Sequence, residues 1–225
     1  MPDRRFADRT VMVFGAAGAL GAGLVSAFAA EGAAVTGVDR AVPTGNRRLD
    51  GAQYRAVDVL DDAALGALFD DGPAPWAVVN TVGGFAGHAP LRELDPAVLT
   101  GQLELNLLTA ALATKHALRA MAAARQGRLV HTASRSAVVT RGSGFAYSVS
   151  KLGVLHLVTM AADEVRGTGI TVNCVVPSII DTPANRSAMP DADHASWPKI
   201  PDVARAYLFL ASPEAKLVSG AAIPV

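Results

Sequence analysis

The chain predicts a doubly wound α/β fold: a parallel sheet of about seven strands, helices on both faces, in a single domain. Three observations carry this. Short β-branched runs alternate with alanine- and leucine-rich helical patterns from Thr10 to the C-terminus. The first strand runs straight into a glycine-rich turn that opens a helix. At 225 residues, 51% of them hydrophobic, the chain can bury one sizeable core, and no linker, repeat or second domain interrupts it.

Formal net charge is zero, which argues against a nucleic-acid groove or a polybasic membrane contact. No uninterrupted apolar run reaches ~18 residues, and the start MPDRRFADRT lacks a hydrophobic signal region, so a cytoplasmic protein is expected. The single cysteine, Cys174, has no partner and reads as a small buried apolar residue. Five scattered histidines show no metal-ligand spacing.

The first strand, Thr10 to Phe14, leads into Gly15-Ala-Ala17-Gly18-Ala19-Leu20-Gly21 and a helix to about Glu31. Strand, glycine turn and helix together form a phosphate-binding arrangement, since glycines admit a close backbone and the helix N-terminus offers free N–H groups to a pyrophosphate. The same glycines also suit tight helix-on-strand packing. Ala34 to Val38 is the second strand, ending at Asp39, where a ribose 2′-hydroxyl is usually held. That carboxylate would repel a 2′-phosphate, which favours NAD(H) over NADP(H); Arg40 beside it is the residue that could accommodate the phosphate instead. A loop over 41–51 lies at the adenosine end. Tyr54 to Val57 is the third strand, followed by Asp58 and Val59; Asp58 could accept from an adenine amino group or cap the helix that starts near Asp61.

A helix from Asp62 to Phe69 stops at Asp-Gly-Pro, and Trp76 to Asn80 is the fourth strand. It enters a second glycine-rich turn, Thr81-Val82-Gly83-Gly84-Phe85-Ala-Gly87, which lets the backbone pass close to the cofactor ribose. Phe85 and His88 follow on the substrate side. Asp95 opens a long apolar helix to about Met121 with Asn106 inside it. A polar amide there is either hydrogen-bonded in the interior or exposed between Leu105 and Leu107.

The fifth strand, Arg128 to Ala133, ends at Ser134, at the C-terminal edge where open α/β sheets hold ligands. Thirteen residues on, Tyr147 and Lys151 stand four apart, one turn of helix, so the ammonium can sit near the phenol. A phenol with a pKa of about 10 is a poor base, and a fixed positive charge beside it pulls that value down. The helix continues to about Arg166. Ile170 to Val176 is the sixth strand, closed by Pro177-Ser178-Ile179-Ile180-Asp181-Thr182, with Pro177, Thr182 and the backbone of Ile179 and Ile180 near a nicotinamide position. The segment Thr182 to Lys199 is polar and aperiodic and reads as a substrate lid, with the loop Gly84 to Pro90 as the other pocket wall. A helix over Pro201 to Leu210 and a strand over Ser219 to Val225 complete the chain.

Gly15 with Gly21, Asn80 with Gly83, Asn106, Ser134, and Tyr147-x-x-x-Lys151 occur in an order that resembles the short-chain dehydrogenase/reductase family over essentially the whole chain. The resemblance implies a Rossmann fold and an NAD(P)-dependent oxidoreductase. It further implies Tyr147 as general acid/base, Ser134 polarising the substrate oxygen, Lys151 binding the nicotinamide ribose and lowering the Tyr147 pKa, and Asn106 holding a water of the proton relay. The substrate would be a small carbonyl or alcohol, and the assembly a homodimer or homotetramer paired through the Asp95–Met121 and Tyr147–Arg166 helices. Two positions depart from the pattern: Ala19 replaces the middle glycine, and Pro177-Ser178 replaces Pro-Gly. Within the family the stretches GAAGALG, VGGFAG, LATKHAL and DTPANRSAMPDADHASW look similar to dihydropteridine reductases, a group without the serine and the helix asparagine present here. Quinonoid pterin reduction is therefore the alternative activity, and a non-catalytic dinucleotide-binding sensor or scaffold the alternative of another class.

Overall fold

The computed structural model describes residues 4–139 and 144–225. Seven parallel strands form one sheet in the order β3-β2-β1-β4-β5-β6-β7. They are β1 (Thr10–Phe14), β2 (Ala34–Asp39), β3 (Gln53–Ala56), β4 (Ala77–Asn80), β5 (Gly127–Thr132), β6 (Ile170–Val176) and β7 (Ala222–Pro224). The helices are α1 (Ala19–Ala30), α2 (Asp62–Asp70), α3 (Pro96–Gln102), α4 (Thr109–Ala124), α5 (Phe145–Glu164), α6 (Pro183–Ala188) and α7 (Ile200–Ala211). Strand order reverses between β1 and β4, and the crevice outside their C-terminal ends is the usual ligand position in such sheets.

Alternation of side chains along each strand builds two cores. Phe14, Val78, Leu129 and Val172 face α2, α4 and α5, whereas Val11, Val13, Val79, Val130 and Val175 face α1 and α7. Tyr207 of α7 is fully buried, and its hydroxyl meets Thr132 Oγ1 at 2.7 Å, tying that helix to the end of β5.

The single helix expected from Asp95 to Met121 is α3 and α4 joined by a π-helical segment over Leu103–Leu108, and it reaches Ala124. Asp95 caps it by accepting from the Ala97 N–H at 2.8 Å, and Arg125 ends it in the left-handed region at φ 49°. The lid segment is less irregular than its composition predicts: it holds α6 and a 3₁₀ turn over His194–Ser196. Thr182, Pro183 and Asn185 supply the reason, because Thr182 Oγ1 accepts from the Asn185 N–H and proline occupies the first helical position.

By length and a mean hydropathy of 1.3, α5 alone among the described helices could cross a membrane. Its inner face, Ala146, Ser150, Lys151, Val154, Val158 and Ala161, is buried in the fold.

Candidate active site

The end of β5 turns into a 3₁₀ turn, Arg135–Ala137, for which Ser134 is the extended capping residue. Ser134 Oγ accepts from the Ser136 N–H at 3.2 Å and meets the Ser136 hydroxyl at 2.9 Å. Residues 140–143, in the middle of the Ser134–Lys151 stretch, lie outside the described residues. α5 then brings Tyr147 back beside Ser134, and both side a cavity of about 750 Å³. Phe85 packs edge-on against the Tyr147 ring with centroids 5.1 Å apart.

Lys151 lies one turn behind Tyr147 and is only 4% exposed. Its Nζ donates to the Thr132 carbonyl at 2.9 Å. Burial pulls its pKa down to about 8. The expected effect on Tyr147 is corrected here: the phenol stands above its ordinary pKa, because burial disfavours the phenolate and the Ser134 hydroxyl offsets only part of this. The ammonium donates to the Thr132 carbonyl and makes no hydrogen bond to the phenol.

Asn106 sits in the π-helical segment, 1% exposed. Its Oδ1 accepts from the Gly84 N–H at 3.0 Å, while its Nδ2 reaches the Gly84 carbonyl at 3.0 Å, Ser150 Oγ at 3.1 Å and Gln102 Oε1 at 3.2 Å. An amide has two hydrogens, so the side chain has none spare. Asn106 is a clamp on the Gly83-Gly84 loop. A Cβ on Gly83 would stand 2.5 Å from Asn106 Oδ1 and 2.8 Å from Lys151 Nζ, so glycine keeps that gap open.

A buried polar row, unanticipated from the sequence, lies on the same face of the sheet. Asn80, His131 and Cys174 are direct neighbours across β4, β5 and β6. Thr114 donates its hydroxyl to the Ala110 carbonyl at 2.8 Å, so it accepts from His131 Nε2–H at 2.9 Å, leaving Nδ1 to face the Asn80 amide at 3.4 Å. Burial, reinforced by the Lys151 charge, pushes His131 down to about 3, so the ring is neutral. The cross-strand register that unites these residues has no signature in linear spacing.

The cofactor residues expected from the sequence gather at the β1/β4 crevice. Gly15 has φ +82°, and a Cβ there would meet Thr81 Oγ1 at 2.5 Å. A Cβ on Gly21 would come within 2.1 Å of the Gly15 carbonyl oxygen and one on Gly18 within 3.2 Å of it, so both positions are tight, while Ala19 takes the first position of α1. The first turn of α1, Ala19, Leu20 and Gly21, carries neither an acidic residue nor a side-chain cap, leaving its N–H groups for an anion. Asp39 accepts from the Ala17 N–H at 2.9 Å and the Arg40 N–H at 2.8 Å, which fixes the carboxylate at the end of β2. Arg47, which the sequence reading passed over, donates to the Ala17 carbonyl at 2.8 Å. These features fit a pyrophosphate and an adenosine ribose.

Other expected positions divide. Asp58 is exposed and accepts from the Leu60 N–H at 3.0 Å, and Asp61 itself caps α2. Val59 is buried in the core beside it. Asn80 accepts from the Val82 N–H at 3.1 Å and holds that turn. The Pro177 carbonyl takes the Arg135 N–H at 2.9 Å. Ile179 lines the cavity, whereas the Ile180 side chain is buried in the core and its carbonyl is taken by Asn185 at 2.8 Å. Thr182 is occupied as the cap of α6. His88 rests on Phe85, rings 4.5 Å apart, at the cavity wall. The lid is pinned at both ends by Asp181, which binds Arg186 and Lys199, and those two cations hold its carboxyl well below the usual range.

A family model described as enoyl-(acyl carrier protein) reductase matches residues 15–225. Cis-4-hydroxycyclohexanecarboxylate dehydrogenase of Sinomonas cyclohexanicum is 35% identical, covering 98% of this chain and 96% of the relative. Galactitol 2-dehydrogenase of Rhizobium johnstonii is 32% identical, covering 98% and 95%. The structure of a short-chain type dehydrogenase/reductase from Mycobacterium ulcerans superposes with a TM-score of 0.88 at 27% identity, covering 98% of this chain and 89% of that one.

Lys151 releases its proton at about pH 8 in the folded protein, against an ordinary 10.5. Between those values the unfolded chain binds more protons than the folded one, so its contribution to stability rises with pH. Cys174 works in the opposite sense above its ordinary 9.0, because burial pushes the thiol up to about 12. The clean window is therefore about pH 8 to 9. Urea unfolding is expected to show the parent gaining about 1 kcal/mol over that window relative to Lys151→Met; parallel pH profiles would contradict the shift.

Proposed function

Because the chain belongs to the short-chain dehydrogenase/reductase family, oxidoreductases that use a nicotinamide dinucleotide on alcohols and carbonyls, we propose that it moves hydride between NAD(H) and a small secondary alcohol or its ketone. The supporting observation is the pair of hydroxyls, Ser134 and Tyr147, on one cavity with a buried Lys151 a turn behind. When bound, the dinucleotide supplies or accepts the hydride at nicotinamide C4.

The chain's own residues do the rest. Ser134 donates to the substrate oxygen and holds it. Tyr147 gives that oxygen a proton on reduction and removes one on oxidation. Its raised pKa keeps it a phenol at neutral pH, the form that serves reduction. Lys151 adds a positive charge behind the phenol and a donor for a ribose hydroxyl. Gly15, Ala17 and the N-terminus of α1 from Gly18 to Gly21 would hold the pyrophosphate, Asp39 a ribose diol, Asp58 and Val59 the adenine side, Asn80, Val82 and Gly83 the second ribose, and Pro177, Ile179 and the backbone N–H groups of Ile180 and Thr182 the nicotinamide side. Asp39 at the end of β2 favours NAD(H) over NADP(H), with Arg40 and Arg47 as the opposing charges.

Two relatives named for alcohols support an alcohol or ketone substrate. With Ser134 and Asn106 both in place, quinonoid pterin reduction is less favoured, and an intact proton-transfer set weighs against a non-catalytic sensor. A cytoplasmic setting and a homodimer or homotetramer complete the reading. Leu108 at the end of the π-helical segment and Leu152 and Met160 on α5, exposed at 44%, 52% and 60%, supply apolar surface for a second copy; sedimentation as a monomer would contradict it.

With NADH and a panel of small ketones, Tyr147→Phe is expected to lower kcat by ~10²–10⁴ and Ser134→Ala by ~10²–10³. Turnover by Tyr147→Phe equal to the parent sinks the proposed role. In fluorescence titrations the parent is expected to bind NADH more tightly than NADPH, and Asp39→Asn to narrow that preference by roughly 10-fold.

A further inference from the structure

We propose that the substrate carries a carboxylate and that Arg135 holds it. The inference rests on the reading above, in which the reacting carbon lies beside Ser134 and Tyr147, and it adds the chemical class of the rest of the molecule.

Among the described residues, the cavity beside these hydroxyls is lined by no aspartate or glutamate, while Arg135 and His88 both border it. Arg135 follows Ser134 directly, and its backbone is fixed by the bond from its N–H to the Pro177 carbonyl. Its side chain is exposed, and among the described residues its guanidinium makes no hydrogen bond or ion pair. Among the described residues near this mouth, Arg186 and Lys199 are both engaged, sharing the single carboxylate of Asp181, which offsets one of their two charges. Arg135 is thus a positive charge at the pocket with no counter-charge among the described residues, and a planar guanidinium matches a carboxylate with two parallel N–H donors.

One side of the cavity is suited to carbon, with Ser136, Ser178 and Ser196 among the polar residues that border the rest. Val139, Ile179, Met189 and Trp197 give the cavity an apolar wall. A ligand that satisfies both ends has a hydroxyl or ketone at Ser134 and Tyr147, a short hydrophobic body, and an acid group at Arg135. An uncharged polyol would leave the guanidinium unmatched.

The test compares reduction of 4-oxocyclohexanecarboxylate with that of its methyl ester, by the parent, Arg135→Gln and Arg135→Lys. Alongside, cyclohexanecarboxylate and cyclohexanecarboxamide are titrated calorimetrically into each protein in the presence of NADH. The parent is expected to prefer the acid. Arg135→Gln should lower the acid-to-ester ratio of kcat/KM by roughly 10–100-fold, mainly through KM, with Arg135→Lys recovering part. The carboxylate should bind more tightly than the carboxamide, and the difference should vanish in Arg135→Gln. A parent that shows no preference for the anion, or a preference that Arg135→Gln leaves unmoved, overturns the assignment. Should neither ketone be reduced while the calorimetric difference holds, the reading of the reaction fails and the anion site stands.

Discussion

A buried ammonium is the constraint around which the crevice is built. Lys151 is enclosed with a carbonyl, not a carboxylate, as its hydrogen-bond acceptor, and an ion so placed keeps its charge only at a free-energy cost. Its surroundings are arranged to limit that cost. His131, on the sheet beneath, is kept neutral and tied to Thr114, so no second cation faces the first. Gly83 contributes no side chain, and Asn106 turns an amide oxygen toward the same gap while gripping the loop at Gly84. A lysine held this way sits near the edge of its charged range, where neighbouring charge readily moves it.

The fold was legible because its signals are local. Apolar runs and the turns between them marked all seven strands, and the glycines at 15 and 21 declared the close approach that the backbone makes there. The placing of Ser134, Tyr147 and Lys151 was legible for the same reason: a strand end and one helical turn are properties of short stretches. What the ammonium faces was not. Four-residue spacing puts Lys151 near Tyr147, but whether its Nζ turns to the phenol or to the Thr132 carbonyl depends on a strand nineteen positions back in the chain.

The same limit explains the other differences. Asn106 in an apolar helix left open whether its amide was buried or exposed, because the partners that decide it, Gly84 and Ser150, come from a loop and a helix distant in sequence. The π-helical turn that aims it has no composition of its own; it follows from the fit of α3 and α4 against α5. Arg47 lay in an unpatterned loop and acquires meaning only once β2 and α1 are side by side. At the lid, irregular composition concealed α6, because one threonine cap and one proline suffice to start a short helix.

Cys174 adds a last consequence. It stands on the strand next to the one that ends at Ser134, in the electrostatic reach of Lys151, a position in which thiols elsewhere become nucleophiles. Here enclosure wins over the neighbouring charge, and the sulfur stays a thiol throughout the physiological range. Peroxides and alkylating agents attack the thiolate. The chain's one sulfhydryl is therefore sheltered from oxidants by the same tight interior that pulls the lysine's pKa down.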